Sequence, residues 1–168
     1  MKNILLIISS LIILISCSKE NDIRSVQYWS NSNNIAKGTI NGIPSESKIS
    51  IYSDGKTLQI SLTKRDIDSV LIEQFSFLNV PIHTGDFKLN RYSFLTDKIY
   101  STYDAGYGDV LSTYCIDSTK NNVLSIKTLN LDKGIINGVV NAVYLYKYGI
   151  PTNIDTIRIK DFEFTYSK

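Results

Sequence analysis

The feature that most limits what this chain can fold into is an apolar–polar alternation with a period of two, running through most of it from Ile35 onward. Leu58, Ile60 and Leu62 alternate with Thr57, Gln59, Ser61 and Thr63, and Phe87 and Leu89 alternate with Asp86, Lys88 and Asn90. Ile136, Val140, Ala142, Tyr144 and Tyr146 share one parity of a long segment whose other parity carries Asn137 and Asn141. Phe162, Phe164 and Tyr166 alternate with Asp161, Glu163 and Thr165. Successive side chains of a strand point to opposite faces, so this pattern predicts antiparallel sheet with one dry and one wet face. Turn signals cut the runs at Asn41-Gly42, Asp54-Gly55, Asn121-Asn122, Asp132-Lys133-Gly134 and Gly149-Ile150-Pro151, and Asn-Gly supplies the positive φ angles of a two-residue hairpin. The spacing predicts an all-β fold of about ten strands, a sandwich or an open barrel, as one domain over 35–168.

The N-terminus follows different rules. Met1-Lys2-Asn3 precedes an apolar run, Ile4 to Ile15, broken by Ser9 and Ser10. A run of about a dozen residues after a positive start has the proportions of a secretory signal, and it falls short of the roughly 20 residues that cross a bilayer. Leu14-Ile15-Ser16-Cys17 resembles the lipobox of bacterial lipoproteins. That resemblance implies removal of residues 1–16 and two or three acyl chains on Cys17, which would anchor the chain stably where one chain would not. The expected localisation is the cell envelope, with the outer membrane of a Gram-negative bacterium favoured because Ser18, not Asp, follows Cys17. Lys19-Glu20-Asn21-Asp22 looks somewhat like export signals to the cell surface, or is simply a solvated linker. Residues 17–34 read as lipidated Cys plus a flexible tether spanning roughly 20–25 Å, in which Tyr28 and Trp29 are either interfacial anchors or rim packing.

Composition removes several function classes. Without Lys2 the chain carries 17 basic and 16 acidic side chains, a balance that gives no reason to expect nucleic acid. With Cys17 lipidated, Cys115 has no partner, so neither a disulfide framework nor a paired-cysteine metal site is expected. A Cys115–His83 pair with Asp86 or Asp117 is outweighed by a buried thiol and an exposed loop imidazole. Asp104 and Asp109 flank a glycine-rich loop without calcium-loop spacing. No cofactor, metal or catalytic residue is assigned. Tyr92, Tyr100, Tyr103, Tyr107 and Tyr114 lie close in sequence, and a tyrosine platform can stack on a sugar or anchor an interface. Tyr103 and Tyr107 are the candidate ligand-binding pair, expected in an exposed loop.

Several blocks resemble a family of small uncharacterised bacterial lipoproteins: Ile40-Asn41-Gly42, Phe77-Leu78-Asn79-Val80-Pro81 with Gly85-Asp86-Phe87-Lys88-Leu89, Gly108-Asp109-Val110-Leu111, Tyr114 with Asp117, Leu124-Ser125-Ile126, Ile136-Asn137-Gly138, and Asn153 to Ile157 with Phe162-Glu163-Phe164. Val139 and Val140 stand where the family usually has an aromatic-bearing strand. Periodicity leaves Val70–Leu78 open between helix and strand, since Ile67, Val70, Leu71, Gln74, Phe75 and Leu78 fit a helical stripe; the resemblance implies a strand. It implies an antiparallel β domain and brings no activity. The expected function is non-catalytic binding of a glycan or an envelope protein. The alternatives are an extracytoplasmic hydrolase and a structural accessory of an outer-membrane complex.

Overall fold

A computed structural model describes residues 27–91, 98–107, 110–150 and 153–168, with the backbone alone of 27–33 and 110. The signal segment, Cys17, Tyr92 and Asp109 lie outside the described residues, as do the side chains of Tyr28 and Trp29. Ten strands make up the described fold: β1 (Gln27–Ile40), β2 (Ile43–Ser53), β3 (Thr57–Arg65), β4 (Leu71–Pro81), β5 (Gly85–Lys88), β6 (Tyr100–Tyr107), β7 (Val110–Ile116), β8 (Val123–Asn130), β9 (Ile135–Tyr148) and β10 (Thr156–Ser167). The ambiguous segment is strand from Leu71 on, within β4. The tether boundary moves, because β1 takes Gln27–Asn34 out of the stretch expected to be flexible, pairing Gln27 with Ser53 and Trp29 with Ile51.

The strands run β10-β1-β2-β3-β4-β6-β7-β9, and β9 pairs back onto β10, so eight antiparallel strands close into a barrel. β5 and β8 extend it. One edge of β9 carries β8 over Ile135–Asn141 and then β7 over Tyr144–Tyr148. Asn122 seals the changeover from a buried position. Its Oδ1 accepts the Val143 N–H at 2.7 Å, and its Nδ2 donates to the carbonyls of Asp117 at 2.7 Å and Lys120 at 3.1 Å.

Short polar side chains close the connections. Asn41 and Gly42 have φ of 51° and 80°, the left-handed pair that matches hairpin twist. Asp54 Oδ1 accepts the N–H groups of Lys56 and Thr57, and Asp66 Oδ1 those of Asp68 and Val70. β10 is bulged between Ile159 and Phe162, with Asp161 at φ 50° and its N–H held by Asn141 Oδ1. The extra residue shifts the strand's phase. Ile157 and Ile159 face inward before the bulge, and Phe162, Phe164 and Tyr166 after it.

An eight-stranded barrel is just wide enough for side chains to fill it, and aromatic rings fill this one. Phe75 stacks on Tyr103 at 4.5 Å between ring centroids and lies within 6.0 Å of Tyr144 and 5.8 Å of Phe162. The buried Tyr144 hydroxyl is satisfied by Ser101 Oγ at 2.8 Å. Two glycines admit the largest rings. A Cβ on Gly38 would meet the Phe162 Cα at 2.5 Å, and one on Gly138 would meet Phe164 Cζ at 2.5 Å.

Candidate functional site

Because the barrel strands alternate in direction, the β1–β2, β3–β4, β6–β7 and β9–β10 connections share one end, called the rim here. β1 enters and β10 leaves at the other end. Nine large apolar side chains are exposed among the described residues, and six of them sit on the rim: Ile43, Ile67, Tyr107, Tyr148, Ile150 and Ile154. Ile67 is 98% exposed and Tyr107 61%. Exposed apolar groups gathered in one place mark interaction surfaces more often than scattered ones do.

The rim is held in place by hydrogen bonds. Ser112 Oγ donates to the Ile150 carbonyl, Tyr114 Oη to that of Ile154 at 3.1 Å, and Tyr146 Oη to that of Gly149 at 2.9 Å. The Tyr146 N–H reaches the Asp155 carbonyl, and Lys147 Nζ lies 5.3 Å from the centroid of the Tyr148 ring. Arg65 Nη1 donates to the Ser69 carbonyl at 2.7 Å and steadies the β3–β4 turn that carries Ile67.

Between the neighbouring β3–β4 and β6–β7 turns, the Tyr107 hydroxyl donates to Asp66, and that bond with the Asp66 charge raises the Tyr107 pKa. For Asp66, desolvation opposes the charge, but the Val70 N–H, the Tyr107 hydroxyl and the Asp68 N–H together bring its pKa below the ordinary aspartate value. A hollow of about 260 Å³ opens beside Asp66, lined also by Lys48, Thr63, Lys64, Arg65 and Ser69. Its lining is dense in donors and acceptors, and an exposed aromatic ring stands next to it.

Beneath the mouth, Glu73 shares the inward parity of Phe75 and Phe77 on β4, opposite Ala105 of β6. Burial raises its pKa above the usual glutamate value against the opposing pull of Lys64. Its Oε2 finds no hydrogen-bond partner among the described residues, and neither does Ser45 Oγ or Ser47 Oγ.

Of the two tyrosines predicted to form a ligand platform, the barrel separates one from the other. Tyr107 is on the rim and exposed. Tyr103 lies in β6 rather than a loop and is 3% exposed. Burial first, then the nearby Glu73 charge, raises its hydroxyl pKa far above normal. The reason is parity: with Ser101 and Tyr103 facing inward on β6, Tyr103 stacks in the core, and Tyr107 keeps the same parity but emerges past the last inward layer.

Cys115 is buried in β7, whereas His83 is exposed between β4 and β5, with Nδ1 2.9 Å from the Thr84 carbonyl and its ring edge on Phe87. They do not form a nucleophile pair. Asp104 accepts the Thr113 hydroxyl at 2.6 Å, and no group of three metal-ligating side chains occurs among the described residues. Sequence reasoning passed over Asp66, Arg158 and Lys160, and it placed Glu73 on a strand face without giving it a role. The signal for Glu73 was present: a carboxylate on the same parity as Leu71, Phe75 and Phe77. Comparison with protein-family models, curated proteins and solved structures finds no match to this chain.

Proposed function

We propose that the protein is a lipid-anchored envelope lipoprotein that binds a glycan, without catalysis, on the rim facing away from its membrane. The observation that carries this reading is the concentration of exposed apolar groups at the barrel end opposite the start of β1. Nine residues separate Cys17 from Gln27, and this ten-step span reaches at most about 36 Å fully extended. β9 alone has 14 residues, which at ~3.3 Å each and a tilt of ~40° gives a barrel wall of about 35 Å. An acyl anchor on Cys17 enters at the start of β1, so the rim is the end of the barrel farther from the anchor by about the length of the wall. The polar hollow beside Tyr107 matches a sugar, which presents hydroxyls at its edge and C–H groups on its face. The lowered pKa of Asp66 keeps it a charged acceptor for a sugar hydroxyl rather than a proton donor.

A protein partner is the second reading, favoured by Ile43, Ile67, Ile150 and Ile154, which suit an apolar interface better than a sugar face. One experiment separates the two. N-acetylhexosamine oligosaccharides are titrated into the lipidated protein, its Tyr107→Ala variant and its Ile67→Asp variant. Glycan binding lost in Tyr107→Ala and kept in Ile67→Asp supports the sugar site. No binding by any form, together with envelope co-purification lost in Ile67→Asp, supports the protein partner and removes the sugar. The anchor is tested separately by mass spectrometry: an unmodified Cys17 overturns it.

A further inference from the structure

The rim has a second hollow, and its chemistry is not that of the first. It measures about 380 Å³ and is lined by Thr39, Asn41, Gly42, Thr156, Arg158 and Lys160. Two cations and three polar side chains line it, with no carboxylate. Thr156, Arg158 and Lys160 occupy alternate positions of β10, which places their side chains in one outward row. The β1–β2 hairpin tip is clamped against this row: the Asn41 N–H donates to the Arg158 carbonyl at 2.8 Å, and Asn41 Oδ1 accepts the Arg158 N–H at 2.8 Å. Thr39 Oγ1 donates to the Lys160 carbonyl at 3.4 Å. The backbone beneath both cations is therefore fixed. Above Gly42 the space is open, because a Cβ there would touch nothing within 4 Å.

The two cations are not committed elsewhere. Among the described residues the Arg158 guanidinium makes no ion pair, and Lys160 Nζ reaches only Asp161, at 4.0 Å with both side chains more than 70% exposed. Lys37, on the neighbouring β1, is instead neutralised by Glu46 at 2.7 Å. A planar guanidinium and an ammonium two residues apart on a rigid strand, with hydroxyls beside them, match an oxyanion.

We propose that this hollow is an anion subsite that takes the carboxylate or phosphate of an acidic glycan whose sugar face rests at the rim. The inference builds on the glycan reading above and names the ligand as acidic. Tyr107, on β6, lies three strands round the barrel from β10, so one sugar of the chain stacks there while the acid group of another makes charge-assisted hydrogen bonds to Arg158 and Lys160. Binding weakens as salt rises, because both cations are open to solvent.

The test uses calorimetry on the full lipidated protein with three probes: a neutral N-acetylhexosamine tetrasaccharide, a tetrasaccharide of the same length bearing hexuronic acid, and inorganic phosphate. The acidic probe is expected to bind about tenfold tighter than the neutral one, and Arg158→Gln with Lys160→Gln to erase that preference while leaving neutral binding intact. Lys127→Gln, on an exposed lysine of β8, controls for net charge and is expected to change neither. If the double variant keeps the acidic preference, the subsite is wrong while the glycan reading stands. If phosphate alone binds and the double variant loses it, the subsite stands and the glycan reading fails. If no probe binds, both fall.

Discussion

Replacing Asn122 by alanine is expected to cost about 3 kcal/mol of folding stability. The side chain sits where β9 exchanges one neighbouring strand for another, and no backbone partner is available to Val143 N–H at that break. Asn122 Oδ1 supplies it at 2.7 Å, while Nδ2 bridges the carbonyls of Asp117 and Lys120. The Asp117 carbonyl also accepts the Lys120 N–H, so it keeps a partner in the variant. The Val143 N–H is left with none, and the Lys120 carbonyl loses the Asn122 bond. An orphaned buried group costs about 1–3 kcal/mol, and each lost bond about 1 kcal/mol more. For a domain of this size that is a fall in Tm of roughly 6–12 °C. Urea denaturation followed by tyrosine and tryptophan fluorescence measures it, with Asn121→Ala as the exposed neighbour expected to stay within about 0.5 kcal/mol. A loss below 1 kcal/mol at unchanged m, or an equal loss in Asn121→Ala, would refute the claim that this side chain closes the seam.

Three further outcomes follow from the same structure. Glu73→Gln should change the pH dependence of stability: a carboxyl with a raised folded-state pKa deprotonates first in the unfolded chain, so stability falls as pH climbs from about 4.5 through the raised value. The variant should gain on the native protein at pH 7 relative to pH 4, and a pH-independent difference in denaturation midpoints would disprove this. Gly38→Ala should lose about 1–3 kcal/mol by overpacking, since its Cβ meets the backbone of Phe162, and a thermal melt within 1 °C of native would contradict that contact. The Cys115 thiol, buried in β7, should resist alkylation until the protein unfolds, and fast modification under native conditions would place it elsewhere.

What could be read from the sequence was the alternation between faces. Leu58 to Leu62 and Ile136 to Tyr146 announced their inward parity, and Asn41-Gly42 announced its hairpin, because both signals are local. The start of β1 was not legible: Ser30-Asn31-Ser32-Asn33-Asn34 lacks apolar residues, yet β1 runs through it. The burial of Tyr103 was hidden for a different reason. Its flanking Thr102 and Asp104 resemble a loop, and only its pairing with Phe75 and Tyr114 on the neighbouring strands β4 and β7 shows that its ring lies inside. The β10 bulge left a trace, the change from odd positions at Ile157 and Ile159 to even ones at Phe162 and Phe164, which marks an inserted residue once β10 is known to be continuous.

A period of two says which face a residue occupies and nothing about which end. The end follows from counting strands. In a closed up-and-down barrel every second connection lies on the same rim, so Asn41-Gly42, Ile67, Tyr107 and Ile150 meet although more than 100 residues separate the first from the last. The intervening connection at Asp54-Gly55 falls at the opposite end, beside the start of β1. This parity makes the two hairpins unequal sites for insertion. A loop added at Gly42 would stand over the basic hollow and obstruct whatever binds the rim, whereas the same loop added at Gly55 would sit toward the anchor and leave binding unchanged. Both turns are short and exposed at their glycine, and tolerate insertion alike, so a difference in ligand affinity at equal stability would come from the end of the barrel alone.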